Sequence, residues 1–151
     1  MRCCWLIVLS VLLLVFPVEA EDGFRKAWRF DLEGIGAFAA SPSGRVALSS
    51  SGRVVSLSKG GGTEWEWVAE DDITHLAFDT IGNLYVAHSG KLVKLDASGA
   101  VQWREDTYGG VYSLDVLPDG RPVLGYDKGV LCFGEDGKKA WEHYAQEECD
   151  T

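Results

Sequence analysis

Basic side chains, cysteines and long apolar runs are all scarce in this chain of 151 residues. Fourteen Lys and Arg against 23 Asp and Glu give a net charge of −9 and a pI near 4.7, so the clustered cations of a nucleic-acid surface are missing. Four cysteines are too few for a disulfide-dense mini-protein. Helical periodicity is absent beyond the N-terminal segment, and with it any case for a coiled coil. The one long apolar run, Trp5–Phe16, falls well short of the roughly 20 residues a spanning helix needs. What the chain does have is 46% hydrophobic residues, 18 Gly and 6 Trp, enough apolar material to exclude disorder and build one domain of ordinary size.

The apolar run reads as the centre of a secretory signal over 1–20. Arg2 supplies the short positive region, and Val18-Glu19-Ala20 puts small residues at the −3 and −1 positions of a cleavage after Ala20. Removing it takes away one base, Arg2, and one acid, Glu19, so 131 residues remain with the charge unchanged at −9. The expected location is secreted or periplasmic, with no membrane span after cleavage. Cys3 and Cys4 leave with the signal, and Cys132 and Cys149 stay. In an oxidising compartment a bond between those two would contribute about 3 kcal/mol. The alternative is a small buried Cys132 and a free Cys149; two lone cysteines make no metal site.

Comparing the mature chain with itself at an offset of 38 exposes a repeat. Trp65, Trp103 and Trp141 superpose, as do Gly61, Gly99 and Gly137, and Gly44, Gly82 and Gly120. Apolar positions follow without a gap, among them Leu57, Leu95 and Phe133, and Ile35, Ile73 and Val111. The expected organisation is a leading outer strand and linker over 21–34, three units at 35–72, 73–110 and 111–148, and a tail at 149–151. The leading segment carries Trp28 in a setting like that of Trp141.

Each unit is a series of short extended segments. In the second unit Ile73–Phe78, Leu84–His88, Leu92–Leu95 and Val101–Arg104 are separated by turns at Gly82, Gly90 and Gly99. Four hairpin-linked strands in tandem repeats of this length predict an all-β fold of four-stranded antiparallel β-propeller blades: three blades plus one leading strand, an incomplete ring.

The recurring Gly-x-x-x-Trp at Gly61/Trp65, Gly99/Trp103 and Gly137/Trp141 follows a strand such as Gly90-Lys-Leu-Val-Lys-Leu-Asp96. It resembles the blades of quinoprotein-like (PQQ-like) propeller repeats. Asp-x-x-Gly-x-x-x-Trp together with Leu117-Pro-Asp-Gly120 is also similar to arylsulfotransferase-type and NHL-type propellers. The resemblance implies that the tryptophan docks on the neighbouring blade and that the glycine makes the turn before it. Quinone-dependent dehydrogenases of this family hold cofactor and calcium in the channel of a complete ring, near a vicinal disulfide. Three units do not form that channel, and the vicinal pair Cys3-Cys4 lies in the signal. No catalytic, cofactor-binding or metal residue is therefore carried over, and no cofactor is expected.

The remaining chemistry-bearing residues read as structure. One tryptophan at the same place in every unit is an inter-blade packing element, whereas Trp67 matches Glu105 and His143 and is the better candidate for a surface contact. His75, His88 and His143 share no repeat position, as a symmetric metal ring would require. Glu70-Asp71-Asp72 and Glu135-Asp136 lack the spacing of a calcium loop and read as solvated turns. Gly60-Gly61-Gly62 precedes no helix and is a turn rather than a phosphate loop. Propellers close with about 4–8 blades, so three leave blade-sized faces open for a protein partner or self-association. The function expected is an exported, non-catalytic propeller module that binds protein or acts as a scaffold; the alternative is the N-terminal fragment of a propeller enzyme whose active site is absent.

Overall fold

Glycine at each reversal and β-branched or aromatic residues between them leave this sequence little but short antiparallel strands to form. The computed structural model describes residues 28–145 and contains twelve strands there. The segment read as a signal, 1–20, the first part of the expected leading segment at 21–27, and residues 146–151 with Cys149 lie outside the described residues. The first sheet is β1 (Ile35–Ala40), β2 (Val46–Ser50), β3 (Arg53–Leu57) and β4 (Thr63–Val68). The second is β5 (Ile73–Phe78), β6 (Leu84–His88), β7 (Lys91–Leu95) and β8 (Val101–Asp106). The third is β9 (Val111–Val116), β10 (Pro122–Tyr126), β11 (Gly129–Phe133) and β12 (Lys139–Tyr144). Each is a four-stranded antiparallel meander in chain order, and no helix occurs among the described residues.

The repeat extends to details of register. A bulge interrupts the pairing of the first two strands in every sheet, at Ile35/Phe38, Ile73/His75 and Gly125/Tyr126. A second interrupts the last two, at Ser56/Leu57, Lys94/Leu95 and Cys132/Phe133. Bulges bend and twist a strand, so repeating them gives each sheet the same twisted shape and lets sheets nest face to face.

The core lies between sheets. Ala47 and Val54 of the first, with Trp65 and Trp67 beside them, pack on Ile73, Leu76, Val86 and Val93 of the second. On its other side the second sheet puts Tyr85, Ala87 and Leu92 against Leu124, Leu131 and Phe133 of the third. Both faces of β6 are thus covered and all five of its residues are buried, which explains a run where simple alternation would place polar residues. Each fully buried Leu or Val here contributes about 1.5–3 kcal/mol. The outer sheets differ: Phe38 on the first is 71% exposed, while its counterpart one repeat later, Leu76, is 8% exposed. Among the described residues no helix is long and apolar enough to cross a membrane.

Candidate functional site

Two features depart from uniform stacking, and both arise from how a unit meets its neighbour. The first is a tryptophan series. The turn after β7 is built by Asp96, whose Oδ1 accepts hydrogen bonds from the Ser98 and Ala100 amides at 2.8 and 3.1 Å, and Gly99 completes it at φ +87°. Against this turn lies the Trp65 ring from the preceding sheet, so close that a Cβ on Gly99 would stand 2.7 Å from it. The Trp65 indole donates to the Ala97 carbonyl at 3.0 Å. Trp103 repeats the arrangement on Gly137, donating to Glu135 O at 2.8 Å, and Trp28 repeats it on Gly61, donating to Lys59 O at 3.1 Å. Trp28 does so although residues 28–34 form no strand. A left-handed glycine is what each position requires: a side chain would be strained in backbone and would strike the ring.

Trp141 breaks the series. It stands at the repeat position of Trp65 and Trp103, is 42% exposed, and meets no glycine turn among the described residues. With Val123 and Cys132 it forms one cross-strand row on the face of the third sheet turned away from the second.

The second feature is a cleft of about 320 Å³ at the seam of the second and third sheets, lined by Tyr108, Tyr126, Lys128, Lys139, Glu142 and Tyr144. Tyr126 and Tyr144 project from β10 and β12, and Tyr108 sits in the link from β8 to β9. On the floor, Glu142 accepts a hydrogen bond from the Tyr126 hydroxyl and another from Lys139 Nζ at 2.8 Å. Those two bonds hold the Glu142 carboxyl below the usual carboxylate range, and the same carboxylate pushes the Tyr126 phenol up to about 12. The walls are the rings of Tyr108 and Tyr144, 69% and 59% exposed.

The surrounding loops hold this cleft in place. The first two sheets turn from second to third strand through Ser51-Gly52 and Ser89-Gly90, both residues at positive φ, as two-residue hairpins favour. The third turns through Asp127-Lys128 at ordinary φ, with Gly129 at φ +147° taking up the difference; this puts Lys128 at the rim. The Asp127 carboxylate accepts from Tyr112 Oη and from the Gly110 amide at 3.0 Å, which tie the turn to the β8–β9 link. Within that link Thr107 is fully buried and donates to Gly109 O at 2.9 Å, while Tyr108 has φ +59°. That conformation is unusual for a bulky residue and persists because both flanks are pinned.

The residues singled out from sequence fall apart from this cleft. Trp67 faces inward rather than out as a surface contact would: Trp65 and Trp67 are two apart on β4, so both rings face the second sheet, and the partly buried Trp67 packs tilted against His88 with ring centroids 6.0 Å apart. His88 is buried, and its Nδ1 has no hydrogen-bond partner among the described residues. His75 and His143 lie elsewhere, and no three metal-ligating side chains converge among the described residues. Glu70, Asp71, Asp72, Glu135 and Asp136 are exposed, and Cys132 is buried.

The cleft residues carry a sequence signal after all. Four of the five tyrosines, Tyr108, Tyr112, Tyr126 and Tyr144, fall in or beside the last unit, where the preceding unit has Glu70, Thr74, His88 and Asp106.

No family model matches the chain, and no curated protein matches it. Solved structures do. BamB of Moraxella catarrhalis superposes on 71% of this chain with a TM-score of 0.62 and 23% identity, using 34% of its own length. Hydrazine synthase of Kuenenia stuttgartiensis covers 85% with a TM-score of 0.69 and 14% identity, over 40% of its length. BBS1N, solved in complex with ARL6DN, covers 78% with a TM-score of 0.65 and 16% identity, over 43% of its length. The chain thus spans about a third to a half of the structures it matches. At these identities the likeness concerns fold, and the matched proteins are β-propellers. By strand order, register and superposition, the three sheets are antiparallel β-propeller blades in an array that does not close into a ring.

Proposed function

We propose that the chain is an exported, non-catalytic propeller module of the PQQ-like repeat type that binds protein or serves as a scaffold through its uncovered blade faces. The observation that carries this reading is Trp141. Three tryptophans of the same series are docked, each with its indole hydrogen bond satisfied by the next turn, whereas the fourth is 42% exposed and its indole has no such partner among the described residues. Its complement is a β-sheet with a left-handed glycine turn and a free carbonyl two residues before that glycine. The opposite end adds apolar Phe38 and Ile35, which are exposed where the same positions one unit later are buried. Large apolar groups grouped on one face mark association sites in soluble proteins. BBS1N, one of the propellers matched, is itself seen bound to another protein, ARL6DN.

Expression of the full chain behind its own leader, with N-terminal sequencing of the exported product, tests export; the expected first residue is Glu21. Light scattering and a hydrophobic-dye assay on that product, beside Trp141→Ser and Phe38→Ser, test the faces. Association or dye binding that falls in the two variants supports the module. A monodisperse monomer that binds neither dye nor partner, unchanged by either substitution, overturns it.

A further inference from the structure

We infer that the tyrosine-walled cleft between the second and third blades is a binding site for a neutral saccharide of one or two rings. The first support is the break in the repeat. Tyr108, Tyr126 and Tyr144 replace Glu70, His88 and Asp106 of the preceding unit, and Lys139 replaces Val101. The equivalent seam between the first and second blades is filled by Trp67 against His88, and Glu105 stands where Trp67 would be, which leaves the second seam open as a cleft lined by these residues.

The second support is the chemistry of the lining. Two exposed phenol rings flank a floor in which a carboxylate, a phenol hydroxyl and an ammonium are already joined by hydrogen bonds. A pyranose ring has the matching dual character. Its C–H face is electropositive and packs on the negative face of an aromatic ring. Its adjacent hydroxyls each donate and accept, and so suit a donor beside an acceptor, with protons of Lys139 Nζ and Lys128 Nζ and lone pairs of Glu142 still available. The volume, about 320 Å³, lies at the small end of sites for small molecules.

Other ligand classes fit less well. Glu142 neutralises Lys139, so an anion finds only the rim lysine, Lys128. A proline-rich peptide would lay an apolar ring over the Lys139–Glu142 pair and desolvate it without replacing a hydrogen bond. The site is also preorganised: Asp127 and Thr107 pin the two loops that carry Lys128 and Tyr108, so little ordering is left for binding to oppose.

The test is a printed array of neutral glycans probed with the intact mature chain, followed by saturation-transfer NMR with the bound glycan or, as fixed probes, maltose, cellobiose and N,N′-diacetylchitobiose. A glycan that binds, with affinity falling tenfold or more in Tyr108→Ala/Tyr144→Ala and falling also in Lys139→Met, supports the site. Both tyrosines are exposed, so the fold is expected to survive, and a second measurement uses no variant: tetranitromethane nitration of Tyr108 and Tyr144 in the wild-type chain slows when the glycan is present. Absence of binding across the array and the three disaccharides overturns the inference. So does binding that ignores the double variant and leaves nitration unchanged, and so does a proline-rich peptide that protects the same tyrosines where no glycan does.

Discussion

Gly99 and His88 show at the level of single residues how tightly one blade meets the next. Gly99 combines a left-handed backbone with a ring at its Cα, so Gly99→Ala both strains φ and drives a methyl toward Trp65. The expected loss is about 1–3 kcal/mol. Gly60→Ala, in the corresponding turn of the first blade but with no positive φ and only Ser58 Oγ at 3.9 Å from the added Cβ, is expected to change stability by less than about 0.5 kcal/mol. Urea unfolding of the two variants measures both, and equal losses would refute the docking account. His88 adds a pH dependence. Burial lowers its pKa from 6.5; Lys91 and Arg104 lower it further, and Asp71 and Glu70 oppose them. The unfolded chain therefore takes up this proton first as pH falls below about 6.5, and stability declines from there downward until folded His88 protonates as well. His88→Gln is expected to flatten the decline just below about pH 6.5, leaving the carboxylate-driven loss at lower pH. Urea midpoints of both proteins across that range provide the comparison.

At the scale of the strand, the outer β4, β8 and β12 are alike in sequence and unlike in surroundings. Trp103 on β8 has its ring on Gly137 and its N–H on Glu135 O, so Trp103→Ala opens a cavity and is expected to cost about 3–5 kcal/mol. Trp141→Ala, on β12, removes a half-exposed ring and is expected to cost about 1 kcal/mol or less in the isolated chain. Thermal unfolding of the pair decides it: matching losses would mean that Trp141 is already docked. The same strands show what was legible in the sequence. Tryptophan and glycine at a constant offset disclose blades, turns and docking because each is repeated. Comparison between units hides the alternation within β4 that puts Trp67 beside Trp65 on the inner face. The tyrosine cleft escaped for the opposite reason, since it consists of what does not repeat. The register beneath it does repeat, Leu131 with Glu142 as Val93 with Arg104 and Tyr126 with Gly129 as His88 with Lys91, so only the side chains mark the site.

In the whole molecule, stability is distributed along one dimension. Each blade in a linear array gains from its own strands and from the neighbours it touches, so the central blade holds two interfaces and each outer blade one. Leu92 and Val130 occupy the same repeat position, yet Leu92 is fully buried against the third blade while Val130 is 38% exposed. Leu92→Ala is therefore expected to cost about 2–5 kcal/mol, and Val130→Ala less than about 1 kcal/mol. Native-state hydrogen exchange should rank the blades in the same way. Amides of β6 and β7, in the blade covered on both faces, exchange only through global unfolding, and those of β9 and β12 exchange earlier through local opening of the third blade. Covering Trp141 with a bound β-sheet would add the third blade's second interface, and the difference between inner and outer blades would narrow. Exchange that is uniform across the three blades in the free chain would rule out this one-dimensional account, and with it the reason for regarding the outer faces as unfilled.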